Sequence, residues 1–193
     1  MTRLISVVVA GAGLLFLAAC SQQEEVVIPD AFALNEEAIG RYCGMNVLEH
    51  HGPKGQIILT RIPEPIWFSS ASDAVAFTMM PDEPKNIAAI YVSDMAVAKS
   101  WEQPGAENWI EARNAYFVLG STRRGGMGTN ETVPFSTEDA ALAFIDENGG
   151  EMMRFADIPV EYVLGGADAT AGNTDEDFGA VGADLPNGSH TTH

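Results

Sequence analysis

Apolar and polar residues between positions 41 and 164 alternate in blocks that predict short strands separated by turns and helices. Apolar runs of strand length, bounded by Gly, Pro, Asn or Asp, stand at 56–62, 87–92, 115–119 and 152–155. Between the two runs of each half, the pattern predicts the end of another strand and then a helix. The chain therefore predicts strand, strand, helix, strand twice in succession, which is an α+β fold.

The two halves of this pattern are related in sequence. Residues 64–77 align without gaps on residues 131–144, at an offset of 67, with six identities in fourteen positions, where composition alone gives about one. The identical pairs are Glu64/Glu131, Phe68/Phe135, Ser69/Ser136, Ala74/Ala141, Ala76/Ala143 and Phe77/Phe144. We therefore interpret the chain as two homologous ββαβ lobes that arose by internal duplication.

Each copy has signals for the start and end of its helix. The helices are predicted to end at Pro81 and at Asn148-Gly149-Gly150. Ala74 with Phe77, and their counterparts in the second copy, place an apolar stripe on the inward face. The candidates for the capping hydroxyl are Ser69 or Ser70 in the first copy and Ser136 or Thr137 in the second.

The N-terminus has the layout of a secretory signal, with Arg3 ahead of an apolar stretch that ends in small residues. Leu17-Ala18-Ala19-Cys20 also resembles the bacterial lipoprotein cleavage box, which predicts removal of residues 1–19 and lipidation of Cys20. The alternative is an ordinary signal peptide with a coincidental cysteine. Ser21 after the cysteine favours the outer over the inner membrane, by analogy with lipoprotein sorting.

The remaining organisation follows from composition. Residues 20–40 are predicted to form a flexible stalk, 41–101 the first lobe and 107–164 the second lobe. Residues 165–193 are rich in Gly and acidic residues, lack Lys and Arg, and predict a disordered acidic tail. The chain has 27 acidic and 10 basic residues and a net charge of −17, which excludes nucleic acid as an expected partner.

Cys43-Gly44-Met45 is the first candidate for chemistry. With Cys20 lipidated, Cys43 has no partner for an internal disulfide, so it is a free thiol, an intermolecular bridge or a metal ligand. Thiolate and thioether suit Cu(I), which accepts two or three ligands, whereas structural zinc requires four. If these residues lie on a strand, their spacing points both sulfur atoms to one face.

Further candidate ligands lie in two loops. Met127 stands among glycines in Arg123-Arg124-Gly125-Gly126-Met127-Gly128, where it is either a ligand or an incidental turn residue. His50 or His51 could return to the same ion across a turn, or could instead cap the loop or orient a ligand. Core packing is the expectation for the other methionines of the lobes, which are Met79, Met80, Met95, Met152 and Met153.

Several of these motifs together resemble one known family. The motifs are the lipoprotein box, Cys43-Gly44-Met45, His51-Gly52-Pro53-Lys54-Gly55-Gln56, residues 109–119, Gly126-Met127-Gly128 and the segment from Phe135 onward. The chain resembles the NosL family, the copper-binding accessory lipoproteins of nitrous oxide reductase, over about residues 41–164.

The resemblance implies two homologous ββαβ lobes similar to the organomercurial lyase fold. It also implies a periplasmic Cu(I) carrier without catalytic turnover, whose partners are an ABC-type maturation complex and apo nitrous oxide reductase. Copper would be held by Cys43, Met45 and Met127, with either His50 or His51 as the histidine attributed to some family members.

Two hypotheses from other classes stay open at this point. One is a thiol enzyme in which Cys43 is the nucleophile and His50 or His51 the base. The other is a metal-free lipoprotein adaptor in which Cys43 is merely buried.

Overall fold

The computed structural model describes residues 28–165, so the predicted signal peptide, Cys20 and nearly all of the acidic tail lie outside the described residues. The described part contains two antiparallel sheets, and the predicted α+β class is confirmed. The first sheet has the order β2-β1-β3-β4 and consists of β1 (Gly55–Leu59), β2 (Ile66–Phe68), β3 (Ile87–Ser93) and β4 (Trp109–Glu111). The second has the order β6-β5-β7 and consists of β5 (Tyr116–Leu119), β6 (Val133–Phe135) and β7 (Glu151–Arg154).

Both halves have the predicted ββαβ order. In each half, the first strand lies between the second and third, as β1 does between β2 and β3, and β5 between β6 and β7. The repeat extends to the register: Phe68 pairs with Gly55 at the start of β1, and its counterpart Phe135 pairs with Tyr116 at the start of β5.

The helices are α1 (Ala71–Met79), α2 (Glu138–Asn148) and a short α3 (Val160–Leu164), and 3-10 turns occupy Val47–Glu49, Ala112–Asn114 and Phe155–Asp157. The hydroxyls of Ser70 and Thr137 accept hydrogen bonds from the backbone N–H of Asp73 and Ala140, as an N-cap requires. The helices α1 and α2 therefore each begin after one of the two capping residues predicted for them, Ser70 and Thr137.

The two lobes share one hydrophobic core. A single cluster of buried side chains joins Phe77 of α1 and Ile90 of β3 to Phe117 of β5, and Tyr162 and Val163 of α3 pack against it. Four of the five methionines expected in the core, Met79, Met95, Met152 and Met153, are half-buried and pack on the clusters of the two lobes. Met80 instead accepts a hydrogen bond from the hydroxyl of Tyr42 at 3.7 Å.

β4 was not expected from the sequence. It follows the predicted boundary between the lobes, yet it pairs with β3 and completes the first sheet, with Ile110 opposite Val92. Its three residues are too short for an alternating pattern to identify.

The last part of the predicted stalk packs on the first lobe. Leu34 and Ala38 are buried in a small cluster with Val47. The side chain of the buried Gln56 accepts from Phe32 N and donates to Phe32 O, both at 2.9 Å. This segment satisfies a buried amide and therefore belongs to the folded unit.

Within residues 28–165, no helix combines the length and apolar character that crossing a membrane requires.

Candidate metal centre

Cys43 lies in a tight turn. Residues 43–45 do not lie on a strand, because Gly44 adopts φ 66° and reverses the chain there. The turn is closed by hydrogen bonds from Gly44 N to Gly40 O and from Gly40 N to Met45 O, both 2.9 Å long. Cys43 is a half-buried free thiol, and the side chain of Met45 is 40% exposed.

His50 reaches the thiol from the end of a short 3-10 turn. The side chain of Asn46 caps this turn by accepting from Leu48 N at 2.9 Å, which carries the chain back toward Cys43. Sγ of Cys43 lies 3.8 Å from Nε2 of His50, whose side chain is only 8% exposed. Of the two candidate histidines, His50 therefore lies beside the thiol, whereas His51 is exposed.

The loop that carries Met127 lies against His50 from the second lobe. An added Cβ at Gly126 would come within 2.5 Å of the Cβ of His50, so the backbone approaches as closely as glycine allows. The carbonyl oxygen of Gly126 lies 3.5 Å from Nδ1 of His50. Met127 is the next residue, with a side chain that is 50% exposed. His50 is thus in contact with both the Cys43 turn and the Met127 loop.

Lys54 fixes the backbone of the loop that contains His50 and His51. Its buried ammonium group donates to three backbone carbonyls, those of His50, His51 and Gly52, at 2.7, 2.9 and 2.8 Å. Burial lowers the pKa of Lys54 to about 8, an effect that the nearby Glu131 carboxyl partly offsets. The amine is therefore charged at neutral pH, and it uses all three of its protons to fix the loop.

Glu131 links the second lobe to the start of α1. Its Oε1 accepts from Ser72 N at 2.8 Å, from the Ser70 hydroxyl at 3.2 Å and from Thr132 N at 3.0 Å. Burial raises the pKa of Glu131 to about 7, although hydrogen bonds from Ser72 and Ser70 act in the opposite direction. This carboxyl group is one of the few buried ionisable groups of the described residues.

Asp73 is a further acidic neighbour that sequence reasoning missed. Burial raises the pKa of Asp73, and a positive charge on His50 acts in the opposite direction. A sequence signal existed for Lys54, which stands within the motif that follows His51. Glu131 gave a weaker one, as one member of an identical pair in the repeat.

The donor set is dominated by soft atoms. A thiol, an imidazole and two exposed thioethers on adjoining loops suit a soft cation such as Cu(I), which needs two or three ligands. Residues 28–165 contain no group of three or more His, Cys, Asp and Glu side chains arranged to hold a metal ion. Within the described residues, Cys43 and His50 are therefore not joined by the further thiolate, imidazole or carboxylate donors that structural zinc or calcium uses.

Comparison with known proteins gives consistent matches. The NosL family model matches residues 31–163. The chain is similar to the copper-binding lipoprotein NosL of Achromobacter cycloclastes, with 46% identity over 165 residues and 84% of each chain covered. It is 30% identical to the copper-binding lipoprotein NosL of Stutzerimonas stutzeri over 180 residues, which covers 92% of this chain and 88% of the relative.

A solved structure is similar as well. It is the crystal structure of the copper chaperone NosL from Shewanella denitrificans, which is 33% identical and superposes with a TM-score of 0.63. The match covers 67% of this chain and 95% of the solved chain.

Proposed function

The chain belongs to the NosL family, and we propose that it is a membrane-anchored Cu(I) carrier that supplies copper for the centres of nitrous oxide reductase. Its relatives are named as copper-binding lipoproteins and as a copper chaperone, not as enzymes. The carrier therefore binds and releases its ion without catalytic turnover.

One observation carries the proposal. The Cys43 thiol lies 3.8 Å from the imidazole of His50, and His50 in turn touches the loop that presents Met127. Cys43, Met45 and Met127 are the proposed copper ligands, with His50 as the histidine that adjoins them. His51 was an equal candidate in the sequence, and His50 is preferred because its imidazole lies beside the Cys43 thiol.

The difference in exposure between the ligands suggests how copper leaves. Met45 and Met127 are 40% and 50% exposed, whereas His50 is buried and Cys43 is half-buried. An incoming thiolate or thioether from a partner can replace the methionines first, because they are weak ligands at the surface. The thiolate of Cys43 then dissociates last, so the ion stays bound to sulfur throughout the transfer.

Binding and protonation are linked in this site. Copper displaces the proton of the Cys43 thiol, so affinity falls as pH is lowered, by up to about tenfold per pH unit. Oxidation of the thiol to a sulfenic acid or a disulfide removes the strongest ligand and abolishes tight binding.

The proposed location and partners follow from the family. The lipoprotein names and the cleavage box support an anchor at Cys20 that holds the protein to a membrane on the periplasmic side, with the outer membrane favoured. The proposed partners are an ABC-type maturation complex and the apo form of nitrous oxide reductase.

The thiol-enzyme alternative uses the same pair of residues, because a thiol beside an imidazole is also the arrangement of a nucleophile and its general base. The names of the relatives argue against it. The adaptor alternative requires an inaccessible Cys43, whereas this residue is only half-buried.

The test uses the mature chain with its lipid anchor, purified in detergent without oxygen. Cu(I) is titrated against a competing chelator in the unaltered chain and in Cys43→Ser, Met45→Leu, Met127→Leu and His50→Ala, with His51→Ala as the matched control. A carrier binds one tight equivalent that weakens in the first four variants and not in the control. The absence of a tight site overturns the proposal.

Delivery is tested separately. The copper-loaded chain is incubated with the ABC-type complex and apo nitrous oxide reductase, and the copper content of the reductase is measured. Binding without transfer would remove the delivery part of the proposal and leave the carrier intact.

A further inference from the structure

Glu131 connects the two lobes next to the loop that carries Met127. Its Oε1 accepts hydrogen bonds from Ser72 N and the Ser70 hydroxyl, both at the start of α1 in the first lobe. The Ser72 hydroxyl donates to Asn130 O at 3.3 Å and accepts from Thr132 N at 2.7 Å. The segment that ends the Met127 loop is therefore bonded to the first lobe on both sides of Glu131.

The other carboxylate oxygen of Glu131 faces the loop itself. An added Cβ at Gly125 would lie 2.6 Å from Oε2, so Gly125 rests directly on the carboxyl group. The loop is closed above it by hydrogen bonds from Gly125 N to Thr129 O and from Gly128 N to Gly125 O. The next residue, Gly126, touches His50. One unbroken stack of contacts thus runs from α1 through Glu131 and the loop to His50.

The duplication provides an internal comparison. Glu64 is the counterpart of Glu131 in the first copy, and its side chain is exposed, whereas that of Glu131 is 1% exposed. Placing a carboxyl group in the interior is costly unless it is well hydrogen-bonded. The burial of this carboxyl group is therefore specific to the second copy.

We propose that Glu131 is a positioning residue for copper binding, which holds the loop of residues 125–128 against His50 so that Met127 reaches an ion bound at Cys43. This inference rests on the proposed function, since it assigns a role within the same site. Glu131 itself does not touch the ion. Its contribution is made through Met127 and not through Met45, which lies on a separate turn.

The experiment is a double-mutant cycle on the full mature chain in detergent, with Cu(I) affinity measured by chelator competition. Glu131→Ala is expected to weaken binding about tenfold, as loss of groups that orient metal ligands commonly does. In the Glu131→Ala background, Met127→Leu is expected to weaken Cu(I) binding by less than about a further twofold, because the loop is already released. Met45→Leu is expected to retain its full effect in the same background.

Three controls keep the result interpretable. Glu64→Ala should leave affinity unchanged. Glu131→Gln preserves the acceptor for Ser72 N and should restore affinity to within about threefold of the unaltered chain. Circular dichroism and thermal melting verify the fold of each variant. If Glu131→Ala does not fold, Ser70→Ala, which removes the hydroxyl that donates to Oε1 of Glu131, takes its place in the cycle.

The outcomes separate the two proposals. If the unaltered chain binds no Cu(I) tightly, the proposed function and this inference fall together. If it binds, and the losses from Glu131→Ala and Met127→Leu multiply in full, only the positioning role of Glu131 is overturned.

Discussion

The Cβ atom of His50 and the backbone of Gly126 are packed so closely that a methyl group on Gly126 would approach that atom to 2.5 Å. Gly126→Ala is therefore expected to push the Met127 loop away from His50. Cu(I) affinity should fall by about tenfold, whereas stability should change by less than about 1 kcal/mol because the loop lies at the surface. Chelator competition and urea unfolding measure the two effects.

Gly55→Ala is the matched control for this substitution. Its added Cβ would meet the Cβ of Ala74 at 2.4 Å inside the first lobe, and overpacking there is expected to cost about 1–3 kcal/mol of stability. Folded Gly55→Ala should bind copper as the unaltered chain does. Unchanged affinity in Gly126→Ala would contradict the importance of the close approach.

A second prediction concerns Lys54 and the loop that carries His50. Lys54→Met keeps the length of the side chain but leaves three carbonyls without their buried donor, which should cost about 3 kcal/mol or more of unfolding free energy. Copper affinity should fall in parallel, because the loop backbone is released. Lys85→Met is the matched control.

Lys85 also donates to two carbonyls, those of Thr78 and Met80, but at an exposed helix end where water can replace it. Its substitution should cost less than about 1 kcal/mol. Equal losses for the two lysines would show that burial of the Lys54 contacts is unimportant.

A third prediction concerns pH and Glu131. Because burial raises the pKa of Glu131 to about 7, the folded chain keeps this proton after the unfolded chain, with an ordinary glutamate, has released it near pH 4.5. Stability contributed by the protonated carboxyl is therefore complete below about pH 4.5 and is lost as pH rises to about 7, by roughly 3 kcal/mol.

The measurement is urea unfolding of the unaltered chain and of Glu131→Gln at several values between pH 4.5 and 8. The difference between the two chains isolates this group from the other carboxylates. A difference that stays constant across this window would rule out the raised pKa.

The two equivalent helix caps give a fourth prediction. Thr137→Ala removes only the hydrogen bond to Ala140 N and should cost about 1 kcal/mol. Ser70→Ala removes the same cap and also a donor to the buried Glu131, so it should cost about 1 kcal/mol more. Thermal or urea unfolding of the two variants provides the comparison, and equal costs would contradict the link between Ser70 and Glu131.

Local signals in the sequence were sufficient for much of the fold. The caps at Ser70 and Thr137 and the repeat at an offset of 67 predict the ββαβ order, because helix starts and apolar periods are properties of short segments. The strand β4 and the helix α3 were missed. They have three and five residues, and their structure depends on the sheet edge and helix against which they pack.

The candidate site divides in the same way. Sulfur side chains next to glycines identified Cys43 and Met127 as candidates without any knowledge of tertiary structure. The choice between His50 and His51 required the three-dimensional path of the loop, because both follow Met45 at a compatible distance. The burial of Lys54 and Glu131 depends on contacts across the chain that no local pattern contains.

The strand β4 determines whether the first copy of the repeat can be produced alone. A fragment that stops before Trp109 would leave the outer side of β3 with unpaired N–H and C=O groups, ready to recruit a strand from another molecule. Such a half-length protein would self-associate through this open edge. The segment between the copies therefore protects the edge of the first sheet against pairing with another molecule.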